Sequence, residues 1–250
     1  MVRKFVIACV VLGIIMSGAI VYAQEKEKKP EEVTWKTRAE FSYVKTSGNS
    51  DNETMSGKLE TKREEAVNRY YGKVNVFRAE DKNNDTANKW LLDGRWERVL
   101  SKRLYGFLTA NYLKDKFSGY KYRVGGGPGV GYEIVKTKDH TLKGAAGVLY
   151  YYDRYSAGPE KSDDYVAGKA VISYEWQIWD NLKFKEYADY LVSFEDTQKY
   201  FINSETALEV KIKEKVSLGI SYIINYQNEP PSNDIKQTDK IFLTSLIIDF

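Results

Sequence analysis

The feature that most constrains this chain is an alternation of apolar and polar residues from Val33 to the last residue. It is clearest in KVSLGISYIINYQ, residues 215–227, where every second residue from Val216 to Tyr226 is large and apolar or aromatic. A period of two is typical of a β-strand whose two faces meet different surroundings, whereas a helix repeats every 3.6 residues. Since the pattern never settles into the helical period, we predict an all-β fold for residues 33–250.

The alternating segments are too long for an ordinary soluble domain. Strands in soluble proteins cluster around five or six residues, whereas a tilted strand that crosses a membrane needs about 9–11. After residue 23 no segment is apolar enough for a membrane helix. We therefore predict an up-and-down antiparallel transmembrane β-barrel of about 12 strands in the bacterial outer membrane. The segments run at roughly 33–46, 53–64, 69–80, 87–98, 103–114, 119–135, 140–154, 164–178, 181–194, 198–211, 215–228 and 238–250.

The connections between these segments support the barrel. The odd-numbered connections, such as EDKNNDTAN and NEPPSNDIKQTD, tend to be longer and acidic, and the even-numbered ones are short and mostly basic. Outer-membrane barrels have short periplasmic turns and longer outside loops, which with an even strand number places both termini in the periplasm. The loops are modest in length, so we expect no large constriction loop folded into the barrel.

The first 32 residues form two segments of their own. Residues 1–23 combine a basic start, a continuous apolar run and Val21 and Ala23 at a small-residue cleavage site, which predicts a cleaved signal peptide. Residues 24–32, QEKEKKPEE, read as a charged flexible linker before the barrel at 33–250. Cleavage removes Cys9, the single cysteine, and leaves 36 Lys and Arg against 35 Asp and Glu. This balance gives no basis for a nucleic-acid partner.

The alternation also assigns the two faces of the barrel. The face with Val216, Leu218 and Ile220 is expected to meet lipid, because an Arg or Lys there costs about 2–4 kcal/mol at the membrane midplane. The other face is expected to line the lumen. Its charged residues are Lys36, Arg38, Lys73, Asp93, Arg95, Arg123, Glu133, Lys185, Asp189, Glu205 and Glu209.

The last segment, TDKIFLTSLIIDF, places Phe242, Leu246, Ile248 and Phe250 on its lipid-facing side. This ending is similar to the signal that outer-membrane proteins present to the barrel assembly machinery. We therefore expect these four residues to act as a membrane-insertion signal. The expected partners are that machinery, outer-membrane lipid and lipopolysaccharide.

The first hairpin, FSYVKTSGNSDNETMSGKLE, resembles the opening hairpin of the salt-induced outer-membrane protein family. Its turn contains Gly48 and Asn49, two residues that tolerate a positive φ. The resemblance extends over residues 33–250 and implies an outer-membrane barrel of unassigned biochemical role. It supplies no active site.

Candidate catalytic residues are few. His140, the single histidine, sits in the short turn KTKDHTL without an adjacent nucleophile, and no GxSxG is present, which argues against a Ser-His hydrolase. The run GGGPGVG, residues 125–131, lacks the Gly-Lys-Ser/Thr ending of a phosphate loop. We interpret its glycines as lumen positions that permit curvature or the close approach of another lumen side chain. Glu205 and Glu209 have a spacing compatible with acid–base chemistry, but nearby lysines favour ion pairing.

We therefore predict a barrel that is not an enzyme and needs no cofactor or metal. Its role is a narrow solute or ion diffusion pore, which the resemblance associates with salt or osmotic conditions. A closed structural or adhesion barrel acting through its outside loops is the main alternative, since about 12 strands lie between a filled barrel and an open one. An outer-membrane hydrolase and a secreted β-sandwich are less favoured.

Overall fold

The computed structural model describes residues 33–46, 52–81 and 84–250. The predicted signal peptide (1–23), the linker (24–32) and the turn residues Gly48 and Asn49 lie outside these residues. The described residues form twelve antiparallel strands in one closed barrel, as the alternation predicted. The strands are β1 Thr34–Thr46, β2 Asn52–Glu64, β3 Asn68–Asp81, β4 Asn84–Val99, β5 Leu104–Asp115, β6 Tyr120–Lys136, β7 His140–Tyr155, β8 Ser162–Trp179, β9 Leu182–Ser193, β10 Tyr200–Lys213, β11 Val216–Gln227 and β12 Thr238–Asp249.

Each strand pairs with its neighbours in sequence, and the barrel closes between β1 and β12. Arg38 is opposite Asp249 and Ser42 is opposite Ser245 at this junction. The backbone N–H of Phe250 donates to the carbonyl oxygen of Thr37 at 2.8 Å, so pairing continues one residue past β12. Closure leaves no strand edge unpaired, which a sheet in hydrocarbon requires. Over the same described ranges there is no helix with the length and apolarity needed to cross a membrane.

The two ends of the barrel differ in their connections. The turn end, which also holds the start of β1 and the end of β12, carries the short connections 65–67, 100–103, 137–139, 180–181 and 214–215. The loop end carries the described connections 116–119, 156–161, 194–199 and 228–237. The prediction of a long third connection over 80–88 is wrong, because β3 extends to Asp81 and β4 begins at Asn84. Glu80 and Asp81 pair with Asp85 and Asn84, so the ladder extends through most of this connection.

The two faces of the strands have opposite chemistry. On β11, Leu218 is 46% exposed while its neighbour Ser217 is 7% exposed. Charged, small and buried aromatic side chains fill the inside, and the exposed apolar residues face outwards. Among the outward-facing residues are the four of the predicted insertion signal, Phe242, Leu246, Ile248 and Phe250. An apolar outer surface with a polar interior is the arrangement that a lipid environment favours.

Candidate functional site

The interior of the barrel holds two adjoining cavities. The outer cavity, toward the loop end, has a volume of about 490 Å³, and the inner cavity, toward the turn end, about 900 Å³. The walls of both cavities include the same band of residues at mid-height. The charged and aromatic members of this shared band are Glu60, Lys73, Asp93, Lys169, Glu175, Lys185 and Tyr187.

Ten of the eleven charged residues predicted to line the lumen contribute to the walls of these cavities. The inner cavity has Lys36 and Arg95, and the outer cavity has Arg123 and Glu205. The remaining six are Arg38, Lys73, Asp93, Lys185, Asp189 and Glu209. Glu133 lies at the turn end, 2% exposed, with its Oε1 3.2 Å from Arg69 Nη1.

Several interior charges were missed in the sequence, although the same alternation locates them. On β2, Lys58, Glu60 and Lys62 occupy every second position and line the cavities. Asp153 on β7 was also missed, because it lies among four tyrosines in LYYYDRY and looks like part of an aromatic run. It is the most deeply buried charge described, at 0% exposure.

At mid-height, the charges alternate in sign from strand to strand. Arg38, Glu60, Lys73 and Asp93 are successive register partners on β1, β2, β3 and β4. Lys73 Nζ lies 3.8 Å from Glu60 Oε1. Opposite charges on facing positions stabilise a sheet. This side of the shared band is therefore electrostatically balanced.

Two ion pairs join β10 to the first two strands, which are not its neighbours in the sheet. Arg38 Nη1 on β1 donates to Glu209 Oε1 on β10 at 2.8 Å, and Lys58 Nζ on β2 lies 3.6 Å from Glu205 Oε1 on β10. The first pair spans β11 and β12 and the second also spans β1, so both cross part of the lumen. Glu209 also accepts a hydrogen bond from Lys185. Both carboxylates of the candidate acid–base pair are thus held by cations, as the ion-pairing interpretation expects.

Near the loop end, one wall is built around a buried cation. The Arg123 guanidinium donates from Nε and Nη2 to the two oxygens of Asp153 at 2.7 and 2.9 Å. Its carbon lies 4.1 Å from the ring centroid of Phe201 and 4.3 Å from that of Tyr120. Lys199 Nζ lies 3.2 Å from the same Asp153 carboxylate. These contacts fix the side of the outer cavity between β6 and β10.

The β6 glycines make room for aromatic rings. A Cβ added at Gly125 would overlap the ring of Tyr151, and one at Gly129 would overlap the ring of Phe107. Gly131 stands in the same relation to the ring of Tyr105. The interpretation of this run as positions for close side-chain approach is confirmed. The rings fill a flank of the barrel and separate both cavities from these β6 glycines.

A loop lies across the mouth of the barrel at the loop end. This mouth loop, residues 228–237, leaves β11 and returns to β12, yet it contacts the connections on the opposite side. A Cβ on Gly119 would lie 2.7 Å from Ile235 Cδ1 and 2.9 Å from Pro231 Cγ, and Gly158 packs against the Pro231 backbone. Gly119 and Gly158 have φ of 90° and 87°, a conformation that favours glycine. This loop lies at the mouth and none of its residues lines either cavity, so it is not a constriction loop folded into the barrel.

The described residues offer little for catalysis or metal binding. His140 lies at the start of β7, where its Nδ1 is 2.8 Å from the hydroxyl oxygen of Tyr174 and its ring stacks on Trp176. No hydroxyl or thiol nucleophile with a second orienting partner accompanies it among these contacts. Residues 33–46, 52–81 and 84–250 contain no group of three or more His, Cys, Asp or Glu that could hold a metal ion.

Solved structures similar to this chain are barrels of bacterial outer membranes. An outer-membrane channel from Pseudomonas putida F1 covers 92% of this chain and 100% of its own, with a TM-score of 0.50 and 10% identity. The NanC porin covers 86% of this chain and 98% of its own, with a TM-score of 0.48 and 11% identity. Identities this low show the fold alone, and the Pseudomonas putida channel is the structure that supports it.

Sequence comparison adds a curated relative and a family. The uncharacterized protein YdiY of Escherichia coli strain K12 is 26% identical over 211 residues, which cover 82% of this chain and 79% of that protein. The family model described as "Protein of unknown function, DUF481" matches residues 39–250, nearly the whole barrel. The chain therefore belongs to the DUF481 family.

Proposed function

We propose that this protein is an outer-membrane channel that admits small hydrophilic solutes or ions along a narrow, charge-lined path. The observation that carries the proposal is the pair of adjoining polar cavities, of about 490 and 900 Å³, whose walls share residues at mid-height. A barrel that served only as a scaffold would be more stable if packed side chains filled this space. The outward apolar surface supports the outer-membrane location.

The mouth loop and the pairs Arg38–Glu209 and Lys58–Glu205 support the alternative, a closed structural or adhesion barrel. The ion pairs cross the space that the cavities open, and the mouth loop lies over its loop end. A closed barrel would act through the loop end and conduct nothing. The two functions therefore differ in one measurable property, the conductance of a single barrel.

The test is planar-bilayer conductance of the full chain purified from membranes, with heat-modifiable gel migration as the folding control. We expect small discrete steps for the wild type. Replacing Pro231 and Ile235 with alanine removes the mouth-loop contacts at Gly119 and should enlarge the steps. Asn233→Ala, an exposed change in the same loop, should leave them unchanged. Folded wild type and double variant that both stay silent would refute the channel and leave the closed barrel.

We further propose that Phe242, Leu246, Ile248 and Phe250 present the β12 surface to the barrel assembly machinery during insertion. Their support is the row of outward, exposed apolar side chains on the strand that closes the barrel. Outer-membrane lipid and lipopolysaccharide are the proposed surroundings of the same surface. Fractionation of cells that express the chain tests the location, and recovery in a soluble fraction would contradict it.

A link to salt or osmotic conditions is a separate proposal, supported by the resemblance of the first hairpin alone. It predicts that the abundance of the protein rises after cells are shifted to raised NaCl. A parallel shift to an equal osmolarity of sucrose separates ionic from osmotic effects. Unchanged abundance under both conditions would remove the link.

A further inference from the structure

One row of interior residues breaks the balance of charge found elsewhere in the barrel. Lys36, Lys62, Tyr71 and Arg95 are successive register partners on β1, β2, β3 and β4, and all four line the inner cavity. We name these four residues the cation row. With about 4.8 Å between strands, the row extends roughly 14 Å. It contains three cations and no carboxylate, whereas the next row toward mid-height alternates in sign.

Neighbouring carboxylates compensate only part of this charge. Lys62 Nζ lies 2.7 Å from Glu64 Oε1, and Arg95 Nη1 lies 3.4 Å from Glu97 Oε1. Lys36 forms no ion pair with any residue in the described part of the chain, and it stands directly opposite Lys62. Like charges on facing positions destabilise a sheet pair. An anion between these side chains would relieve that repulsion.

The wall facing the cation row is also basic. Lys143 on β7 and Lys183 on β9 line the inner cavity, and neither has an ion-pair partner among the described residues. Among its described lining residues the inner cavity has ten Lys and Arg against six Asp and Glu side chains. The outer cavity has the opposite balance, with six Lys and Arg against eight Asp and Glu. The excess of positive charge is thus confined to the turn-end half.

Aromatic side chains complete the cavity. Tyr71 stands between Lys62 and Arg95 in the row, and the Lys62 ammonium lies 5.5 Å from the Tyr71 ring centroid. The Arg95 guanidinium carbon lies 4.2 Å from the ring centroid of Phe107, which holds the guanidinium against the wall. The Tyr71 hydroxyl is hydrogen-bonded to Glu97, so the fixed Arg95 guanidinium is the suitable donor to carboxylate or phosphate oxygens.

We propose that the cation row binds a small solute with two or more carboxylate or phosphate groups. The cavity volume of about 900 Å³ lies within the range of small-molecule sites, and a row of three cations matches separated negative groups better than a single charge. The inference deepens the proposed channel function, because it names the class of solute that the inner cavity selects. The binding step itself does not depend on conduction.

The test is isothermal titration of citrate, and separately of inorganic pyrophosphate, into the purified full chain in detergent at low ionic strength. Lys36→Gln removes the cation that has no ion pair among the described residues and should weaken binding about tenfold, which corresponds to about 1.4 kcal/mol. Lys36→Gln combined with Arg95→Gln should weaken it further. Lys161→Gln, in the exposed connection 156–161, removes the same charge outside the cavity and should have no effect. Heat-modifiable migration checks that each variant is folded.

Titration and conductance together separate this inference from the channel proposal. Citrate binding that is lost in Lys36→Gln but kept in Lys161→Gln supports the site, whether or not the barrel conducts. Equal affinity in the wild type and Lys36→Gln, or no binding to the wild type at millimolar citrate, overturns the site even if conductance steps are present. Wild-type binding should also fall at 0.5 M NaCl, since screening weakens the attraction. Affinity unchanged by salt would contradict a cationic site.

Discussion

The buried pair Arg123–Asp153 gives the sharpest energetic prediction, because the barrel contains an exposed arginine, Arg78, that also pairs with an aspartate through Nε and pairs with Glu80 through Nη2. Arg123 Nε lies 2.7 Å from Asp153 Oδ1, and Arg78 Nε lies 2.8 Å from Asp85 Oδ1. The Asp153 side chain is 0% exposed and the Arg78 side chain 52%. Replacing each arginine with glutamine removes the same charge from two different environments.

The two replacements should differ severalfold in their effect on the free energy of unfolding. Arg123→Gln leaves Asp153 buried with Lys199 as its remaining cation, 3.2 Å away, and it removes the contacts with the rings of Tyr120 and Phe201. Losing one partner of a buried ion pair costs about 3–5 kcal/mol. An exposed pair contributes about 0–1 kcal/mol, so Arg78→Gln should be nearly neutral.

Urea unfolding of the refolded barrel, followed by tryptophan fluorescence, measures both values. With a slope of about 2–3 kcal/mol/M, Arg123→Gln should lower the midpoint by about 1–2.5 M. Arg123→Lys keeps the charge but loses the bidentate hydrogen bond, so its unfolding midpoint should lie between those of the wild type and Arg123→Gln. If Arg123→Gln lowers the midpoint no more than Arg78→Gln does, burial does not strengthen this pair and the reasoning is refuted.

Two further predictions concern β6 and β12. Gly129→Val should destabilise the barrel by about 1–3 kcal/mol in the same urea assay, because the new side chain displaces the Phe107 ring. Gly94→Ala, where an added Cβ meets nothing within 4 Å, is the matched control and should be close to neutral. Phe250→Ala should reduce the heat-modifiable fraction recovered from outer membranes, since it removes a 68% exposed apolar ring from the residue that follows β12, whereas Thr244→Ala on the same face of β12 should not. Equal recovery of both β12 variants would contradict the insertion signal.

Strand number, strand length and face assignment follow from the sequence because they depend on neighbours two residues apart. Leu218 and Ser217 differ in exposure for a reason that is visible in KVSLGISYIINYQ itself. The role of the β6 glycines was also predictable, since four glycines at alternate positions leave space on one face only. Lys58, Glu60 and Lys62 also occupy alternate positions, so their place in the interior was equally predictable from the sequence.

The partners of the interior charges were not predictable from this local pattern. Arg38 is 171 residues from Glu209, and no spacing rule connects β1 with β10. Their contact depends on the curvature of the closed sheet and on the length of an arginine side chain. The mouth loop is a similar case, because its contact with Gly119 exists only when β11 and β12 face β5 and β6 across the barrel.

The sequence by itself determined that this chain forms a barrel with an apolar outer surface and a charged interior, because alternation along a strand is a local property. Only the tertiary structure decided which charges neutralise one another, how the interior divides into two cavities, and where an unbalanced row of cations remains. The physical reason is that ion pairing requires side chains to approach within a few ångströms. In a closed barrel that distance is set by strand register and curvature, which no single segment of the chain contains.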